Sequence, residues 1–401
     1  MKFKISNKFI LEIAPIIFFV MIMLGSSIRT PIVEDEYLFY RLADNFPDYS
    51  CTPDWFFEDR PEIFNYNVYW EDAKGKGLFT LAYDTPIFIH TPLPVLLVSP
   101  IVKGLNFLAD NNIISHIEDQ PGIIGISEEQ RKTSTTSEIE ALAEENRAKS
   151  RAEDITNILR IIPILLCASS LWLMYKTIEH KVGTNIYLFS ISIVAGIMLS
   201  MGVYLFYWDV FMIFFFALTL YLMEVKPNSK WKYVTACCLV NTKMFLGIAF
   251  LVPLVVKAIK DNWRTSWKMM LPVLSIIPFY IATVVVTGDP IYFWTHYVDQ
   301  IPIHTVIYGE FTLLSYLNTF VGLGLPIILL MTAPIVWCWK KYPEYVLLLV
   351  ITFVYIWGGG LSTTHTSTMI YVTVLIFPLV AYETKIVERI RNWIKAKKVK
   401  E

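Results

Sequence analysis

Glu34, Asp35 and Glu36 form an acidic run a few residues after the first apolar segment ends near Ile28. Carboxylates at the lip of a membrane span are costly to bring near lipid, so they face water or a polar cavity. Behind them Leu38, Leu42 and Phe46 recur at i, i+4 and i+8, which predicts a helix lying on the membrane surface. A carboxylate held there suits proton abstraction on a lipid-borne substrate. The plainer reading is that Asp35 caps the helix and Glu36 favours its positive end. Other isolated polar residues join the candidates: Asp209 in Tyr207-Trp208-Asp209, Lys243 in Asn241-Thr242-Lys243, Arg160, His90 and His296, with Asp299, His304 and His365. Each has a plain alternative, since Lys243 can snorkel and the aromatic stretch from Tyr292 to Tyr297 can be an interface belt. One base with a few isolated cations suits displacement of a group that leaves as a stable anion. The 6 histidines show no metal-ligand spacing, and no metal or other cofactor is implied.

The elements that must carry these residues are membrane helices. Of 401 residues, 55% are hydrophobic and only 17% are charged, against roughly a quarter in soluble domains. Mean hydropathy is +0.50, and apolar runs of spanning length recur along the chain. The predicted fold class is therefore an all-α polytopic membrane protein, with the lipid bilayer as its medium. A net charge of −1 implies no nucleic-acid partner. Cys167, Cys237, Cys238 and Cys338 lie in apolar runs and Cys51 alone in a polar loop, so no loop disulfide framework is predicted. Lys2, Lys4 and Lys8 precede the apolar stretch from Phe9 to Leu24, which reads as a retained signal-anchor.

Charge gives the topology. Residues 29–84 carry 12 acids and 5 bases, and residues 110–154 carry 11 acids and 5 bases. Together these are 23 of the 35 acids (12 plus 11), which fits a large exported loop over 29–154 after a first span over 1–28. Within it, 85–109 is apolar but broken by Pro86, Pro92, Pro94 and Pro100, and reads as a juxtamembrane or re-entrant segment that does not complete a crossing. Residues 155–384 form the bundle, with spans near 155–175, 185–205, 208–224, 269–287, 313–337, 344–361 and 367–384. Residues 231–260 have basic clusters at each end, so they are expected to cross twice with a break at Asn241-Thr242-Lys243. That makes about ten crossings, with cytoplasmic termini and every candidate group on the outer side. Residues 385–401 form a basic amphipathic tail, with Ile386, Ile390, Trp393 and Ile394 on one face.

The order of these features resembles the GT-C glycosyltransferases. It is most similar to the branch of dolichyl-phosphate-mannose protein mannosyltransferases and lipid A aminoarabinose transferases. Their Asp-Glu-aromatic motif after the first span is matched by Asp35-Glu36-Tyr37, and a Pro-Pro-Leu-like motif by His90-Thr91-Pro92-Leu93, with Thr91 replacing one proline. Arg160 matches an Arg opening the next span, and Asp209 matches an Asp in the second outer turn. Thr242-Lys243 matches a Thr-Lys-Gly-like break, with Met244 where glycine is usual. The similarity covers roughly 9–300, and 301–401 matches only in hydropathy. It implies a GT-C-like bundle of about ten spans with juxtamembrane helices in the outer loop. It also implies transfer of a sugar from a polyprenyl-phosphate-linked donor to a protein or glycolipid acceptor, with Asp35 as base.

The residues suit that chemistry. A glycosidase needs two carboxylates because its leaving alkoxide must be protonated. A sugar leaving on phosphate needs one base and a cationic leaving-group site. Asp35 would deprotonate the acceptor, Lys243 with Arg160, His90 or His296 would hold the phosphate, and Glu36 and Asp209 would orient the sugar or the acceptor. Two rivals stand beside it. One is a glycolipid-directed mannosyltransferase, which the stretch from Tyr83 to Leu97 also fits. The other is a transporter or flippase of polyprenyl-linked glycans, for which paired broken helices and inverted repeats are expected.

Overall fold

The computed structural model describes residues 7–27, 34–46, 92–111, 155–183, 186–199, 207–287, 290–291, 332–358 and 367–398. Among them all regular structure is helical. In chain order the helices are α1 (Asn7–Ser27), α2 (Glu34–Asn45), α3 (Leu93–Asp110), α4 (Ile161–Val182), α5 (Ile186–Leu199), α6 (Trp208–Val225), α7 (Trp231–Val240) and α8 (Met244–Asn262). Then come α9 (Ile277–Thr287), α10 (Pro343–Gly358), α11 (Met369–Glu383) and α12 (Ile386–Lys398). Among the described residues, four stretches are long and apolar enough to cross a membrane: Leu93–Asp110, Ile155–Val182, Trp208–Val225 and Ser266–Val285. An all-α chain with these helices is consistent with a polytopic, multi-pass membrane protein.

Local chemistry sets the boundaries. Gly183 adopts a left-handed φ of 65° and ends α4, its N–H reaching the Glu179 carbonyl at 3.0 Å. Pro343 opens α10, where its missing N–H costs nothing. The same reasoning explains α3, which the proline count led us to expect as an incomplete crossing. Pro92 and Pro94 sit at its N-terminus and only Pro100 lies inside, so an 18-residue helix persists. Before α9, Pro272 and its neighbours form 3-10 turns over Ser266–Met269 and Leu271–Ile276 where continuous α-helix was expected. Within α11, Val372–Ile376 widens into a π-helical stretch.

The break expected inside 231–260 falls between Val240 and Met244. At about 1.5 Å per residue the 10-residue α7 is roughly 15 Å long, half a hydrocarbon core. Gly247 lets α8 start against the end of α7. A Cβ there would meet the Leu239 carbonyl oxygen at 2.4 Å and Val240 Cα at 2.8 Å.

Ion pairs sort the bundle into two ends. At one end, Lys181 binds Glu224 at 2.8 Å and Glu344 at 3.0 Å, while Lys257 binds Glu224 at 3.0 Å and Lys260 binds Glu344 at 3.2 Å. These latch α4, α6, α8 and α10 together, and Lys176 ties in α1 through Glu12 at 2.9 Å. In the turn before α10, Lys341 pairs with Glu383 at 2.6 Å and is held charged by it. Burial, then the Glu383 carboxylate, push the neighbouring Tyr342 hydroxyl up to about 12. We call this the basic end. The opposite end carries Ser27, α2 and the starts of α4, α6 and α8.

The main core fills the bundle with residues such as Cys167, Leu171, Phe216, Phe250 and Tyr371. A second cluster, including Phe39, Leu42, Val98, Leu159, Trp208 and Phe211, packs α2 and α3 onto α4 and α6. Leu42 is buried and Phe46 packs at the cluster's edge, so these two positions of the i, i+4 pattern serve packing within the protein.

Candidate functional site

Two buried charge groups occupy the end opposite the basic end. The first anchors α2. Glu36 and Arg160 are each fully buried, and Arg160 grips the carboxylate with two N–H groups: Nε donates to Oε1 at 2.8 Å and the second amino group to Oε2. The other amino group donates to the Ser27 carbonyl at 2.7 Å and to Asn157 at 3.0 Å. One guanidinium thus joins the end of α1, the start of α2 and the start of α4. Planar two-point geometry of this kind is what Arg supplies and Lys does not.

Further contacts fix the rest of α2. Phe39, one turn beyond Glu36, meets Trp208 edge-on at 4.4 Å and stacks near Phe211 at 6.0 Å. Tyr40 donates to Asn106 at 2.9 Å, Asn106 donates to Asp44 at 2.6 Å, and Lys103 donates to the Phe46 carbonyl. Asp35 lies in the first turn of α2, about 100° around the axis from the anchored Glu36. It is therefore a first-turn residue, one position inside the helix that Glu34 opens.

The second group lies where α7 breaks into α8. Lys243 donates to Asp209 at 2.9 Å and to the Tyr355 hydroxyl at 2.7 Å, and that hydroxyl reaches Asp209 at 2.9 and 3.1 Å. Lys243 is 3% exposed and Asp209 1%. The Tyr207 and Tyr355 rings stand 4.8 and 5.4 Å from the ammonium. Extended backbone at Lys243 (φ −147°) turns the chain into α8, and Asn241 ties the break to Ser275 at 2.6 Å. From Asp209 to Glu224 the rise along α6 is about 22 Å, and from Lys243 to Lys257 about 21 Å. The two helices therefore agree on a site some 20 Å along the bundle from the basic end.

Trp208 links the groups, touching Phe39 of α2 while preceding Asp209 in the chain. Four of the sequence candidates thus come together as two pairs, Glu36 with Arg160 and Asp209 with Lys243. His90, His296, Asp299, His304, His365 and Cys51 lie outside the described residues. Sequence reasoning missed Tyr355, which sits in an apolar run with nothing to mark it, and Gly247, three residues beyond the position where glycine was sought. Among the described residues, no group of three or more His, Cys, Asp or Glu could hold a metal. No protein-family profile matches the chain, and comparisons with curated proteins and with solved structures return no match.

Chemically, each cation is already neutralised by a carboxylate. A buried pair of this kind contributes little net stability but is costly to split. An anion that displaces Asp209 from Lys243 would find an ammonium, a tyrosine hydroxyl and two aromatic faces in place.

Proposed function

We propose that the protein is a membrane glycosyltransferase that moves a sugar from a polyprenyl phosphate to an extracytoplasmic acceptor with inversion. The observation that carries this reading is the contact of Phe39 with Trp208. It packs α2, the helix that carries Asp35, against the residue preceding Asp209 in the chain, which supports a base and a cation serving one reaction. Asp35 takes a proton from the acceptor hydroxyl or amine, which attacks the anomeric carbon in line. The phosphate departs as an anion onto Lys243, helped by a further cation such as His90 or His296. Glu36 serves the base indirectly, because its bond to Arg160 fixes the helix that presents Asp35. Asp209 holds Lys243 until the donor arrives, then orients the sugar or the acceptor. The charge pattern supports a cell-membrane protein with cytoplasmic termini and an extracytoplasmic site, in a GT-C-like arrangement of about ten spans.

Transport of a polyprenyl-linked glycan is the second reading. The helix break at Asn241–Lys243 and a buried ion pair favour it, since transporters place their sites at such breaks. Mass spectrometry of cells lacking the protein separates the readings. Loss of one sugar from an otherwise complete glycoprotein or glycolipid, with its lipid-linked donor accumulating, supports transfer. Loss of whole glycans with their polyprenyl carriers trapped on the cytoplasmic leaflet overturns it.

A further inference from the structure

Serine and threonine hydroxyls on the described helices commonly return to a carbonyl one turn back. Ser170 bonds Leu166 at 2.7 Å, Thr177 bonds Leu173 at 2.8 Å and Thr219 bonds Phe215 at 2.7 Å. Thr352 of α10 is fully buried, yet its hydroxyl makes no such bond. Among the described residues, the hydroxyls of Tyr345 and Tyr371 are likewise buried and without a partner. A buried polar atom left dry is costly, so three in one bundle call for an explanation.

Their placement supplies it. Tyr345, Thr352 and Tyr355 fall within about 80° on one face of α10, at 100° per residue. Tyr345 sits at the basic end, its ring 5.0 Å from the Lys181 ammonium. Thr352 lies about 10 Å further along the axis, and Tyr355 one turn beyond that. Tyr355 is the hydroxyl that bonds Asp209 and Lys243. Tyr371 flanks this line where α11 enters its π-helical stretch, its ring 5.4 Å from Phe250, which in turn packs on Tyr355 at 6.4 Å. Hydroxyls therefore mark a line from the ion-pair network at the basic end to the buried charges at the other.

We propose that this seam between α8, α10 and α11 binds a short file of ordered water, which bridges Tyr345, Thr352 and Tyr371 and hydrates the Asp209–Lys243–Tyr355 group from the basic end. Each water has hydroxyls and neighbouring waters as partners, which is the polar surrounding that buried water requires. The file gives a buried charged pair a path for solvation that does not pass through lipid. It is independent of the sugar-transfer reading, because no donor or acceptor takes part.

Hydroxyl-radical footprinting by X-ray radiolysis of the full-length protein in detergent tests it, since radicals formed from ordered water oxidise the side chains beside them. Tyr345 and Tyr371 are expected to be oxidised several-fold faster than Phe19, which is as deeply buried in the apolar core. Thr352→Val, close to threonine in shape, removes the central bridge and should reduce oxidation of the two tyrosines several-fold while leaving Phe19 unchanged. Should that variant fail to fold, Tyr371→Phe read at Tyr345 gives the same comparison. Oxidation of both tyrosines no faster than Phe19 overturns the proposal, as does labelling in the folded variant equal to that in the wild type.

Discussion

Arg160→Met takes from a buried carboxylate the guanidinium that binds both of its oxygens, and the structure allows the cost to be worked. Glu36 is fully buried and its two oxygens are taken by this one guanidinium. Removing one partner of such a pair costs about 3–5 kcal/mol. Replacing both partners, as in Glu36→Leu with Arg160→Met, removes the buried charge and leaves mainly the Ser27 carbonyl without its donor, at about 1–3 kcal/mol. The double variant should therefore be about 2 kcal/mol more stable than Arg160→Met alone. Reversible unfolding in mixed detergent, followed by tryptophan fluorescence, reads the difference. A double variant no more stable than the single one would refute the anchored geometry of α2.

Asp35→Asn should fold normally, losing at most the roughly 0.3–1 kcal/mol that a first-turn charge gains from the helix dipole, while turnover falls about 10²-fold or more. Lys243→Ala should weaken use of the lipid donor far more than acceptor binding, as seen in separate KM measurements for the two substrates. Gly247→Ala should lower stability by about 1–3 kcal/mol in thermal unfolding, because the new Cβ meets backbone at 2.4 and 2.8 Å rather than a side chain that can move. Cys51 should react with a membrane-impermeant maleimide on intact cells, and labelling only after the membrane is opened would invert the proposed topology.

One-dimensional patterns revealed whatever depends on neighbours in the chain. Basic clusters on either side of 231–260, with a polar tripeptide between, located the break at Asn241-Thr242-Lys243, because helix ends follow from local charge and hydropathy. The same held for the start of α6 at Trp208 and for the amphipathic α12. Pairing partners were beyond that reach. Glu36 and Arg160 are far apart in sequence, and nothing in either segment announces that each neutralises the other. Tyr355 is one aromatic residue in an apolar helix, given meaning only by the fold that brings Asp209 and Lys243 to it. Proline position, rather than proline number, decided α3, and the glycine that matters at the break packs on Leu239 and Val240, a contact invisible before the two helices are docked.

The central claim is that Asp35 and the buried Lys243 serve one transfer reaction. Purified protein in detergent, offered a radiolabelled polyprenyl-phosphate monosaccharide or the corresponding nucleotide sugar with an acceptor, measures it directly. The account predicts transfer from the lipid phosphate alone, slowed about 10²-fold or more by Asp35→Asn. Transfer from the nucleotide sugar with no lipid intermediate present, or wild-type turnover in Asp35→Asn, would contradict it.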